Sequence, residues 1–194
     1  GGADATTIQT SAGSRGIAPA ASAALLNGLI TASHAPAPGD SSDEYIAAFK
    51  KINDEFNKGA DKRWDNNVLQ GMNIGYMTVG ALMGTLNAKT VFSAKNNKTC
   101  QANAKKGTLS RVCFIDFMES NGSKIESAAF SPLQYSATTH EAFNSFWIGA
   151  YDAATVLQPI GGTRVVYSTD SGSGPVTVSN YKRPAIAADA LPKN

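Results

Sequence analysis

The sequence predicts an α+β domain: helices packed on one face of a small antiparallel sheet, with a long central glycine-containing helix and a C-terminal β-hairpin. Two observations carry that expectation. The elements read in the order helix, helix, strands, helix, hairpin, without the regular alternation that a parallel α/β sheet requires. The 194 residues also suit one domain with an arm, divided as an arm over 1–40, a domain over 41–183 and a tail over 184–194.

Composition narrows the class. Leu, Ile, Val and Phe number 38, about a fifth of the chain, which is low for a globular protein. Disorder needs a high net charge as well, and 17 Lys+Arg against 15 Asp+Glu leaves only +2. The chain therefore folds on few large aliphatics. Collagen, coiled coil, a polytopic membrane bundle and a whole-chain nucleic-acid binder are excluded.

Residues 1–16 carry no periodic apolar pattern and read as a flexible arm. Over 17–33, Leu25, Leu26, Leu29 and Ile30 share a helical face, and the Pro36 and Pro38 segment that follows reads as a short stiff linker. Ser41 and Glu44 form a capping box before Tyr45, Phe49, Ile52 and Phe56, an amphipathic stripe that Gly59 stops. Residues 66–88 hold no charged side chain and read as a long helix with one break or bend. Its pairs Gly71/Gly75 and Gly80/Gly84 fall on opposite faces, because nine residues turn through about 900°. Neighbours are expected on both glycine faces, and leucine at Gly75 or Gly80 is expected to overpack. The run is long enough for a bilayer, which needs about 20 residues. Gln70, Asn73, Thr78, Thr85 and Asn87 argue against a stable span, since unpartnered polar groups are costly in lipid.

Beyond Lys89 the pattern turns toward strands, at 90–93, 109–117 and more weakly 125–130, with a turn at Asn121-Gly122. Thr138 and Glu141 form a second capping box, opening a helix over 138–157 that Pro159 and Gly161-Gly162 end. Residues 163–169 and 175–181 flank a five-residue loop as a hairpin.

Cys100 and Cys113, 13 positions apart, lack the C-x-x-C spacing of a metal site, and His34 and His140 are remote from both. The cysteines read as a disulfide across a hairpin-like loop, against two unrelated buried thiols, and a disulfide implies an oxidising compartment: periplasm, cell surface or secretion. The opening Gly1-Gly2-Ala3-Asp4 has no leader pattern, which reads as a processed chain or a cytosolic one.

Motifs of chemistry are scarce. His140-Glu141 lacks the second histidine of a zinc hydrolase, since position 144 is Asn144. Gly172-Ser173-Gly174 sits at a hairpin tip, not a nucleophile elbow, and no phosphate loop occurs. No metal or cofactor is expected. Asp116, inside an apolar run, is the one acid placed for burial with a perturbed pKa, against an exposed alternate-face position. Lys95, Lys98, Lys105, Lys106 and Arg111 gather around the cysteines in a stretch free of acids. They read as an anionic-partner site (lipid headgroup, polysaccharide or acidic protein patch) or as lysines that keep a loop soluble.

The functional expectation is a non-enzymatic secreted or cell-envelope protein working through protein contacts, as a structural or accessory subunit or a homo-oligomer. The alternatives are a periplasmic inhibitor or immunity-type protein, and a small hydrolase built around His140, Asp116 or Glu141.

Overall fold

The computed structural model describes residues 26–59, 64–152, 156–169 and 175–188. In chain order these hold β1 (Ile30–Ser33), α1 (Glu44–Phe56), α2 (Asn66–Leu86), α3 (Asn97–Lys105), α4 (Arg111–Asn121), a 3-10 turn (Gly122–Lys124), β2 (Ser145–Tyr151), β3 (Leu157–Pro159), β4 (Val166–Ser168) and β5 (Thr177–Val178). Four helices thus pack with a five-stranded antiparallel sheet, the α+β class expected.

The two long helices follow their local signals. α1 buries Tyr45, Ile46 and Phe49, but Asp43 caps it, accepting from the backbone N–H of Tyr45 and Ile46 at 3.1 and 3.3 Å, where a Ser41 box was expected. α2 runs unbroken for 21 residues from its Asp65 cap, so the expected break is absent. Its buried amide is answered, since Asn73 Oδ1 accepts from the Ala128 N–H at 2.8 Å.

Two runs exchange identity. Residues 109–117 were expected as a strand, yet α4 begins at Arg111 behind a Ser110 cap. The buried positions Cys113, Asp116 and Phe117 have helical i, i+3, i+4 spacing, which outweighs the β-rich composition. Residues 138–157 were expected as a helix, yet β2 occupies 145–151. Ser145, Trp147 and Gly149 are buried in strict alternation, and β1 pairs along β2 from Ser33↔Trp147 to Ile30↔Ala150. Within the expected helix over 17–33, residues 30–33 form β1 instead for the same reason: Gly28, at φ +82°, turns the chain into that pairing. Residues 17–25 lie outside the described part, as does the arm at 1–16. No strand forms at 90–93 or 125–130. The C-terminal hairpin is present as β4 paired with β5, Tyr167 opposite Val178, its 170–174 loop outside the described residues.

Residues outside the expected 41–183 domain, in the 1–40 arm and the 184–194 tail, also make contacts with it. Ala35, Pro36 and Ala37 are buried, and the Trp147 indole donates to the Ala35 carbonyl at 2.8 Å. Ile186 packs on the Tyr45–Phe49–Leu69 cluster, and the Tyr45 hydroxyl donates to the Pro184 carbonyl at 3.0 Å. The loop between α4 and β2 joins the two halves. Ile125 and Leu133 enter the disulfide cluster, Ala128 the α1–α2 cluster, and Phe130 the sheet cluster with Ala37, Trp147 and Leu157.

The glycine faces of α2 differ from expectation. A Cβ at Gly71, Gly75 or Gly80 would meet nothing within 4 Å among the described residues, none of which covers those positions. The overpacking expected at Gly75 and Gly80 belongs to Gly84, whose Cβ would collide with the buried Phe117 ring of α4. Gly84→Leu should lower stability by about 1–3 kcal/mol in urea unfolding, while Gly75→Leu should leave the midpoint near the parent's. Equal midpoints for the two variants would contradict this packing.

Candidate functional site

Because α2 is uncharged and partly uncovered, it forms the floor of an open groove of about 710 Å³. Phe49 and Ile52 of α1 make one wall, while Phe117 of α4 and Ile125 help close another. Gly71, Gly75 and Gly80 contribute no side chain, so backbone lies at the surface. Val79 and Met83 stand over the groove at 59% and 65% exposure, and Ile74 is 62% exposed. Val79 and Met83, at i and i+4, make one exposed apolar ridge, while Ile74, nine residues before Met83, lies on the opposite face of α2. Lys124 and Glu126 are the charged residues of the lining; Glu126 accepts from the Tyr76 hydroxyl at 2.7 Å, and that hydroxyl accepts from the Ala187 N–H at 3.3 Å. The C-terminal segment thereby forms one rim.

Arg183 holds that segment down. Its guanidinium pairs with Asp43, donates to the Ala128 carbonyl at 2.8 Å, and lies over the Tyr45 ring at 4.5 Å. Arg164 pairs with Asp40 and lies over Phe130 at 5.0 Å and Trp147 at 5.3 Å. Phe130 receives both guanidinium groups, with Arg183 5.4 Å from its centroid. Sequence reading singled out neither arginine, since each pairs with an aspartate more than a hundred positions away.

The sequence-derived candidates separate in space. Cys100 and Cys113 are bonded, with Cα atoms 5.4 Å apart, and the bond joins α3 to α4 where a hairpin-like loop was expected. Lys95, Lys98, Lys105, Lys106 and Arg111 are all exposed on this part of the fold. Asp116 is buried, but on a helix. Burial pushes its carboxyl up, and hydrogen bonds from the Ser93 hydroxyl, the Asn96 amide at 2.9 Å and the Ser93 N–H at 2.8 Å outweigh that, holding it below 3.8. It anchors the loop before α3, which is a structural task.

His140 lies outside any helix, stacked on Tyr135 at 4.4 Å with its Nε2 3.7 Å from Glu119. Glu141 is exposed, and the structure does not bring His140, Asp116 and Glu141 together through any hydrogen bond or ion pair among the described residues. No group of three His, Cys, Asp or Glu placed to hold a metal ion occurs among the described residues. No described helix is long and apolar enough to cross a membrane.

His34 is the less exposed histidine, half-buried and stacked on Phe143 at 5.3 Å. Burial lowers its pKa below 6.5 against the opposing hydrogen bond with Gln70. The folded state therefore prefers neutral imidazole, and the unfolded chain takes up the proton first as pH falls below 6.5. Stability should be complete above that value and decline in thermal melts as pH drops below 6.5. His34→Gln should flatten this window. Asp40 and Asp116, both held below 3.8, should add their losses only in more acidic solution. A parent melting curve flat over that first window would refute the assignment.

The fold and this surface define a disulfide-bonded α+β domain with an open apolar groove. Neither a family model, nor a curated protein, nor a solved structure matches the chain.

Proposed function

We propose that the chain is a non-enzymatic secreted or cell-envelope protein working through protein contacts, a structural or accessory subunit whose α2 face meets a second copy of itself. One observation supports this reading above others: Val79 and Met83, one turn apart, stand in solvent as a ridge flanked by the bare backbone of Gly71 and Gly75 on one side and Gly80 on the other. A two-fold contact needs a surface complementary to itself. A ridge of large side chains and a glycine furrow on one helix supply both halves, the ridge of one copy entering the furrow of the other. No charge along α2 opposes its own image across the axis. Each such side chain, fully buried, contributes about 1.5–3 kcal/mol before the costs of association. The Cys100–Cys113 bond supports the extracytoplasmic part of the proposal.

Sedimentation velocity over a concentration series should show a monomer–dimer equilibrium. The double variant Val79→Asp, Met83→Asp should sediment as a monomer and melt like the parent, since both side chains are already solvated in the single copy. A parent that stays monomeric at every concentration, or a dimer the double variant leaves intact, would overturn the proposal.

A further inference from the structure

The turn joining α3 to α4 combines two properties that the α2 contact does not use. The first is charge. Between Lys89 and Ile115 there are six cations and no acid, so this stretch carries +6 while the whole chain carries +2 and the remainder −4. Lys105, Lys106 and Arg111 cluster at the turn, exposed, with no carboxylate paired to them among the described residues. The next acid along the chain, Asp116, is buried and engaged by Ser93 and Asn96, and Glu119 is turned toward His140.

The second property is apolar exposure in the same place. Leu109 is 46% exposed, Val112 61% and Ile115 38%. On α4, Arg111 and Ile115 are one turn apart, and Val112 and Ile115 are spaced i, i+3, so the three share a face. The tip is built to keep its shape: Cys113 is bonded to Cys100, Ser110 caps α4, and Gly107 takes the turn at φ +64°. Little conformational freedom is left to lose on binding.

Those two properties together select the partner. A hydrated polysaccharide or an acidic protein patch would answer the cations, but side chains at 109, 112 and 115 would gain little from a polysaccharide. Bases would need aromatic platforms, and the turn has none. A bilayer interface answers both, taking cations at its phosphates and short apolar side chains at the headgroup–acyl boundary. We infer that the α3–α4 turn is a peripheral docking surface for an anionic lipid bilayer, with Lys105, Lys106 and Arg111 at the phosphates and Leu109, Val112 and Ile115 entering the interface.

Vesicle flotation tests it. The chain should float with vesicles of equal parts phosphatidylglycerol and phosphatidylcholine, and stay behind with phosphatidylcholine alone. K105E with K106E should weaken binding about a hundredfold or more, each unit of charge near such a surface being worth about fivefold and each reversal changing the charge by two. V112S with I115S should weaken it about tenfold, and L109S, outside any helix, gives the same reading if that pair folds poorly. Both sets should melt like the parent. V79D with M83D should float as the parent does, which separates this outcome from the fate of the α2 dimer. No flotation with the mixed vesicles overturns the inference. So does binding that the serine variants leave intact, since a soluble polyanion would then serve as well, and so does equal binding to neutral vesicles.

Discussion

Arg183→Ala is expected to lower the unfolding free energy by about 3–5 kcal/mol, the penalty of removing one member of a buried ion pair. The pair qualifies as buried: the side chains of Arg183 and Asp43 are 14% and 8% exposed. Truncation leaves the Asp43 carboxylate without its cation while it still caps α1, uncovers the Tyr45 ring, and takes from the Ala128 carbonyl its guanidinium donor, at the residue whose N–H joins the loop to Asn73 of α2. Arg183→Lys should recover only part of the loss, because a point charge cannot stack on Tyr45 and reach both oxygens as a planar guanidinium does. Urea unfolding followed by circular dichroism gives the numbers. A loss below about 1 kcal/mol, the range of solvated pairs, would mean that the C-terminal segment does not hold its place over α1.

Removing the disulfide is the second large effect. Cys100 and Cys113 are both buried in the cluster with Ala81, Phe92 and Phe117, and the bond closes a short loop. The double variant Cys100→Ser, Cys113→Ser should lose about 3 kcal/mol, mostly by enlarging the unfolded ensemble. For a chain with few large aliphatics that is a large share of a typical domain's 5–15 kcal/mol. Thiol titration of the denatured, unreduced parent should find essentially no free thiol. Two reactive thiols would remove both the bond and the support it gives to an oxidising compartment.

Neither arginine clasp was visible in advance, and the reason is distance along the chain. Asp40 and Asp43 look like ordinary acids near a helix start; their partners lie at 164 and 183. The groove was hidden differently. The glycine pairs of α2 were legible, and so was the absence of charge. Whether another element would cover Gly71, Gly75 and Gly80 depends on where α1, α4 and the 125–144 loop come to rest. No local pattern records that. The basic stretch, by contrast, could be read directly, because six cations without an acid need no fold to be noticed; the exposed Leu109, Val112 and Ile115 beside them required α4 to be a helix.

Sequence alone determined the parts governed by neighbours a few residues apart. These are α1 through its aromatic stripe, α2 through its uncharged helical run, the C-terminal hairpin through its turn-rich loop, the Cys100–Cys113 bond and the α+β class. Tertiary structure decided the rest. The Phe143, Phe146, Trp147, Ala150 and Tyr151 set fits a helical face as well as a strand, and pairing with Ile30–Ser33, more than a hundred residues earlier, together with β3 and β4 on its other edge, makes residues 145–151 β2. The β-rich run at 111–117 became a helix because Cys113, Asp116 and Phe117 had to reach one side together, toward Cys100, Ser93 and α2. Where local preferences differ by less than a kcal/mol per residue, burial and long-range hydrogen bonds outweigh them, and those partners are not written nearby in the chain.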